Sequence, residues 1–259
     1  MTKLRNLKMT MEKKAHLKTN KLIAGLLAVY LLFSVAPGWT EVNEIDSNFD
    51  GKIDQWQHIA ANGEVEKIEH DSNADGKVDQ VDYYGKNKKV IRVEFDRNHD
   101  GKMDHFQIYS DAGKLVRVEK SSKFNDLIDW KEVYGADEKL VKVEIDQDQN
   151  KKMDTWQFYD ERENLIRVER DTDENGKVDQ WSVFSSGETL EHSAFDTSGD
   201  GKPDQWQYFD PSKNLVKVEY DTNKDGKADR WEHFDGSGKL TRVELDRNFD
   251  GKVDMTQKK

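Results

Sequence analysis

The chain repeats itself every 25 residues, and no other feature constrains its fold as much. Beginning at Asp46, one pattern returns at 71, 96, 121, 146, 171, 196, 221 and 246, with no insertion. Each unit opens on nine residues of the type D-x-[DN]-x-[DN]-G-K-x-D, as in "DTNKDGKAD" at 221–229. Numbered from that first residue, position 1 is Asp everywhere except Ser121, and position 9 is always Asp. Position 11 is usually aromatic (Trp56, Phe106, Trp156, Trp181, Trp206, Trp231). Position 14 is Tyr or Phe from Tyr84 through Phe234, position 20 is Val or Leu, and position 23 is Val or Ile except Ser193.

Two half-units, such as "DQWQYFD" and "NLVKVEYD", alternate aromatic or β-branched with polar residues, and turn formers such as "DPSK" and "DGSG" separate them. The expected fold is all-β: tandem hairpins joined by the D-rich loops into a twisted antiparallel meander, a superhelical strip or an open barrel. With position 14 opposite 20, a regular ladder sets Trp at 11 against Val at 23 and Gln at 12 against the basic residue at 22. One apolar and one polar face follow. The alternative is a parallel β-solenoid with one coil per unit. It would stack Glu69, Glu94, Glu119, Glu144 and Glu169 about 4.8 Å apart, where like charges repel. The meander is therefore preferred.

Residues 1–36 have the composition of an export signal: seven basic residues (Lys3, Arg5, Lys8, Lys13, Lys14, Lys18, Lys21) before the apolar run 22–36, "LIAGLLAVYLLFSVA". That run is shorter than the roughly 20 residues of a membrane span. Ser34 and Ala36 supply the small residues of a cleavage site. The expectation is a signal peptide over 1–36 and one repeat domain over 37–259, with eight units from 46 to 245 and a ninth loop at 246–254. Such a protein is periplasmic, cell-surface or secreted, and meets the membrane only if the segment stays uncleaved. Beyond residue 36 the chain holds 34 basic against 51 acidic residues, a net of −17. A surface so acidic repels nucleic acid and attracts cations. With no cysteine, disulfides and zinc–thiolate sites are excluded.

The loops place oxygen donors where a cation needs them. Side chains at 1, 3, 5 and 9 and the carbonyl of residue 7 converge if the backbone wraps, and Gly at 6 permits the bend. The ligand sets are Asp46, Asn48, Asp50, Lys52, Asp54; then Asp71, Asn73, Asp75, Lys77, Asp79; then Asp96, Asn98, Asp100, Lys102, Asp104. Past the fourth loop come Asp146, Asp148, Asn150, Asp154; Asp171, Asp173, Asn175, Lys177, Asp179; and Asp196, Ser198, Asp200, Lys202, Asp204. Asp221, Asn223, Asp225, Lys227, Asp229 and Asp246, Asn248, Asp250, Lys252, Asp254 complete the series. The loop at Ser121, "SSKFNDLID", lacks positions 1 and 3 and is expected to stay empty. Lys151 replaces Gly in the loop at Asp146, and Ser198 is a weaker donor, so those sites are expected to differ from the rest.

The pattern resembles the first nine positions of EF-hand calcium loops, and the loops of dockerins and thrombospondin type 3 repeats. The resemblance implies Ca²⁺ as ligand, seven or eight ions per chain, held for example by Asp221, Asn223, Asp225, Asp229 and the Lys227 carbonyl. It departs at position 12, where EF-hands carry a bidentate Glu and this chain has Gln57, Asp82, Gln107, Glu132, Gln157, Ser182, Gln207, Glu232 and Gln257. Water, or the Glu two residues before each loop, could supply that ligand. The "FD..G.L" turns loosely resemble YD-type and MORN-like hairpin arrays, which implies a scaffold. The seven His are scattered through the unit, and no nucleophile elbow, phosphate loop or HExxH motif is present, so a non-enzyme is expected. The functional reading is a calcium-stabilised structural or interaction protein, its partner another surface protein or a glycan. Its alternative is a calcium-dependent carbohydrate-binding adhesin using the aromatic stripe at 14.

Overall fold

The computed structural model describes residues 41–185 and 189–259. The expected signal peptide over 1–36 lies outside the described residues. Among the described residues eighteen strands and no helix follow one another. β1 is Glu41–Ile45. The strands of positions 10–14 are β2 (Gln55–Ile59), β4 (Gln80–Tyr84), β6 (His105–Tyr109), β8 (Trp130–Tyr134), β10 (Thr155–Tyr159), β12 (Gln180–Ser185), β14 (Gln205–Phe209) and β16 (Arg230–Phe234). Those of positions 20–25 are β3 (Val65–His70), β5 (Val90–Phe95), β7 (Leu115–Lys120), β9 (Leu140–Ile145), β11 (Leu165–Arg170), β13 (Thr189–Phe195), β15 (Leu215–Tyr220) and β17 (Leu240–Leu245), with β18 (Met255–Lys258) last. Each strand pairs antiparallel with its neighbours in the chain, giving one open sheet that does not close into a barrel. The meander is thereby the observed fold, and the parallel solenoid is not.

The register departs from the expected one at a defined place. Position 14 does lie opposite 20, as in Ile59 against Val65 and Phe209 against Leu215. One residue further, the ladder slips: 13 faces 22, 12 faces 23, 11 faces 24 and 10 faces 25. Position 21 is the extra residue of a β-bulge. The turn causes it. The N–H of position 18 donates to the carbonyl of 15 (Gly63 to Ala60, 2.8 Å; Glu163 to Asp160, 2.9 Å), and the N–H of 15 donates to the carbonyl of 19. Residue 18 is left-handed, with φ +80° at Gly63 and +62° at Glu163. A type I turn followed by a left-handed residue imposes that bulge on a hairpin.

The consequence is that Trp and Val occupy opposite faces. Val at 23 is sandwiched between position-12 side chains, as Gln157 and Val143 or Gln157 and Val168. These valines form the buried row, from 7% exposed at Val93 to 1% at Val143. Tyrosines at 14 lie on the same face and donate back to position 12: Tyr109 to Gln107 and Tyr159 to Gln157, each 2.7 Å. On the other face Trp56, Trp156, Trp206 and Trp231 stand opposite Glu69, Glu169, Glu219 and Glu244. Each such Glu meets the basic residue two places before it, among them Lys142–Glu144 at 2.7 Å and Lys217–Glu219 at 2.8 Å. Arg167 lies 4.2 Å from the Phe158 ring centre and Lys217 4.1 Å from that of Tyr208. Position-11 side chains, Trp in most units and Val81, Phe106 or Lys131 in others, therefore separate the glutamates, and no two glutamates are adjacent. This spacing removes the like-charge penalty a parallel stack would incur.

Candidate metal centres

Two backbone hydrogen bonds carry each loop between strands. The N–H of position 9 donates to the carbonyl of the preceding residue 25, as Asp79 to His70 at 2.8 Å. The N–H of the following position 1 then donates to the carbonyl of that position 9, as Asp96 to Asp79 at 2.9 Å. Positions 1 and 9 are thus pinned side by side, and the segment between them must loop out.

Inside the loop the acidic side chains gather the backbone around themselves. The carboxylate at 1 accepts the N–H of residue 6: Gly76 to Asp71 at 2.8 Å, Gly101 to Asp96 at 2.7 Å, Gly226 to Asp221 at 2.7 Å. The oxygen at 3 accepts from the N–H of 5, and that at 5 from the N–H of 7, as Asp75 to Asn73 and Lys77 to Asp75, each 2.9 Å. The same set closes the loops at Asp46 and Asp246. The Asp at 9 accepts the N–H of residue 2, and at Ser47, Ser122, Thr172, Thr197 and Thr222 also the hydroxyl, as Thr222 to Asp229 at 2.8 Å. Position 9 therefore has a structural duty, clasping the loop shut, beside any ligand role. Sequence reading assigned it to metal alone. The recurrence of Ser47, Ser122, Thr172, Thr197 and Thr222 at position 2 was the available sign.

Two residues per loop are left-handed. Position 6 has φ from +85° to +93° wherever it is glycine, and Lys151 and Asp126 hold the same place at +75° and +66°. Position 4 was missed: it too is left-handed, at Phe49, Ala74, His99, Phe124, Gln149, Glu174, Gly199, Lys224 and Phe249. Its side chain reaches the loop before it. His99 Nδ1 is 2.9 Å from Asn73 Nδ2, and Asn150 Nδ2 donates to Glu174 at 3.1 Å.

The carboxylates of Asp146, Asp148 and Asp154 bring one oxygen each within 4.8 Å of the others, as do those of Asp171, Asp173 and Asp179. Both loops have Asp at position 3, so positions 1, 3 and 9 are the converging ones. Asp146 is 2% exposed and Asp171 8%. Asp171 Oδ1 is buried and has no hydrogen-bond partner, although its Oδ2 accepts from Gly176. Asp171 thus keeps a buried carboxylate oxygen without a donor in a loop where two further carboxylates converge on it, an arrangement that a bound cation would relieve. The donor set is all oxygen, which suits a hard divalent ion such as calcium and not a thiophilic one. The residues present therefore fit the ion. At the other loops the side chains named from sequence occupy the same places, their oxygens engaged with loop N–H groups. Accepted N–H bonds hold several of these carboxyls below the usual range: Ser47 acts on Asp54, Asn98 on Asp100 and Asn150 on Asp148.

The Ser121 loop is organised differently. Ser121 Oγ accepts from Asn125 N–H at 3.1 Å, Gln149 Nε2 donates to Asp129 at 3.0 Å, and the Lys102 ammonium pairs with Asp126. An amide from the following loop and an ammonium from the preceding one thus meet the two carboxylates of this loop. The following strands hold Glu132, which accepts from Lys120 (2.6 Å), Tyr134 (2.6 Å) and Trp130 (3.0 Å). Burial pushes its carboxyl up, and these donors outweigh it and hold it below the usual range. The Glu at position 24, considered a possible further ligand, is committed to the basic residue at 22 along the strands.

No family model matches the chain, and neither does any curated protein. Among solved structures it is similar to a GtfA/B complex bound to UDP and GlcNAc, at 15% identity and TM-score 0.25, over 53% of this chain and 25% of that one. It is also similar to TcdB2-TccC3-Cdc42, at 12% identity and TM-score 0.24, over 78% of this chain and 12% of that. A porin-like protein from Bacteroides uniformis matches at 9% identity and TM-score 0.23, over 83% and 92%. No conclusion about role follows from likenesses so slight.

Proposed function

We propose that this is an exported calcium-binding repeat protein with a structural or interaction role, in which calcium stabilises the array of hairpins. The buried, donorless Asp171 Oδ1 beside Asp173 and Asp179 is the observation that carries the reading. The recurrence of the same oxygen set at Asp46, Asp71, Asp96, Asp146, Asp196, Asp221 and Asp246 extends it along the chain. Extracellular calcium modules bind at about 10⁻⁴–10⁻³ M. At ten times Kd each ion stabilises the folded form by about 1.4 kcal/mol, and its removal leaves clustered carboxylates in mutual repulsion. The array is in this reading folded with calcium and loosened without it. Circular dichroism of the chain from residue 37 tests this directly: the β-sheet spectrum should weaken in EDTA and recover with millimolar calcium. Identical spectra would end the proposal. The carbohydrate-binding alternative rests on the aromatic residues alone, and the hydroxyls of Tyr109, Tyr134 and Tyr159 are engaged within their own strands.

A further inference from the structure

The two outermost strands are each other's missing neighbour. Among the described residues β1 pairs only with β2, and β18 only with β17. Within the described residues each therefore has an outer edge of unpaired N–H and C=O groups, a template for another strand. β1 carries positions 21–25 of a unit and β18 carries positions 10–13. Everywhere inside the sheet a strand of the second kind is flanked on both sides by strands of the first, as β10 is by β9 and β11. The edge of β18 lacks a strand of the β1 type, and the edge of β1 lacks one of the β18 type.

We propose that β18 of one molecule pairs with β1 of a second, so that copies of this chain join head to tail. The register is that of every hairpin in the array with the turn left out: Met255 opposite Ile45, Thr256 opposite Glu44, Gln257 opposite Asn43, and Lys258 opposite Val42. Three further observations agree. Inside each hairpin the N–H of position 1 donates to the carbonyl of the previous position 9, as Asp71 to Asp54 at 2.9 Å and Asp246 to Asp229 at 2.8 Å. Joining two molecules offers the Asp254 carbonyl to the Asp46 N–H in that relation. Next, position 4 packs toward the preceding loop, and Phe124 and Phe249 there are 48% and 49% exposed. Phe49, in the first loop, has the same backbone conformation and is 90% exposed. A loop at Asp246 of a second copy is the cover that Phe49 lacks. Finally, β1 carries Glu41 and Glu44 where β18 and the residue after it carry Lys258 and Lys259, so the edges are complementary in charge.

The contact is heterologous, so it generates rings where its rotation closes and open rows where it does not. It depends on strand register and goes beyond the calcium reading. Sedimentation velocity of the purified chain in millimolar calcium, from about 1 to about 100 μM, reads it, with circular dichroism confirming that every variant has folded. The weight-average mass should rise at least twofold across the range. F49S, at a side chain with almost no intramolecular contact, should weaken association several-fold. E41K/E44K and K258E/K259E should each weaken it about tenfold, and the chain carrying all four changes should associate like the wild type. A monomer at every concentration would overturn the proposal. So would tighter association of K258E/K259E, which would show the lysines guarding the edge.

Discussion

At the scale of single residues, the nine loops are variations on one frame, and their differences are chemically specific. Lys151 takes the left-handed backbone at position 6 that glycine takes elsewhere, at φ +75°. An L-residue so placed costs about 1 kcal/mol. K151G should raise stability by about 1 kcal/mol in urea denaturation and strengthen calcium binding at the Asp146 loop. At Asp171 the prediction has two signs. D171N replaces a buried oxygen without a donor, so in EDTA the variant should be at least as stable as the wild type, whereas in calcium it should bind one ion fewer. Glu132 gives a pH test away from any proposed ligand set. Its folded-state carboxyl is held below the reference value of 4.5, so its contribution is present above pH 4.5 and is lost as pH falls through the depressed value. E132Q should cost about 2 kcal/mol at pH 7, and the difference from wild type should shrink steadily below pH 4.5. A difference independent of pH would refute that assignment.

At the scale of the element, strands, turns and loops were legible because each unit writes its alternation in aromatic and β-branched residues. The pairing was legible only in part. Position 14 opposite 20 was readable from the hairpin, but the bulge at 21 was not. Its signal, a left-handed residue at 18, is carried by glycine at Gly63, Gly113 and Gly238 and is hidden at Lys88, Glu138, Glu163 and Lys213. One missed residue moved Trp from the supposed Val face to the Glu face. The same limit applies at the site. Ligand-type residues are visible in the letters, whereas the duty of Asp at 9 as a clasp and the reach of position 4 into the preceding loop emerge only from backbone geometry. The register is open to direct test, since the chain has no cysteine of its own. Trp156→Cys with Glu169→Cys should crosslink readily on oxidation, and Trp156→Cys with Val168→Cys should not, because those side chains point to opposite faces. In the buried row, Val143→Ala should cost about 2 kcal/mol, read by thermal unfolding.

At the scale of the whole molecule, each hairpin contacts only its neighbours, so stability propagates from unit to unit. A net charge of −17 beyond residue 36 opposes that order wherever the loops are not neutralised. The Ser121 unit stands apart, because Lys102, Gln149 and the Glu132 cluster tie it together through side-chain contacts. Hydrogen exchange in EDTA should find the strongest remaining protection in β8 and β9, with the units around Asp171 losing theirs first. The account as a whole rests on the loops holding calcium. Calorimetric titration of the chain from residue 37 with CaCl₂ measures that most directly. Seven or eight ions per chain, with heat and sheet signal developing together, is the result the account predicts. Absence of any binding at millimolar calcium would contradict it.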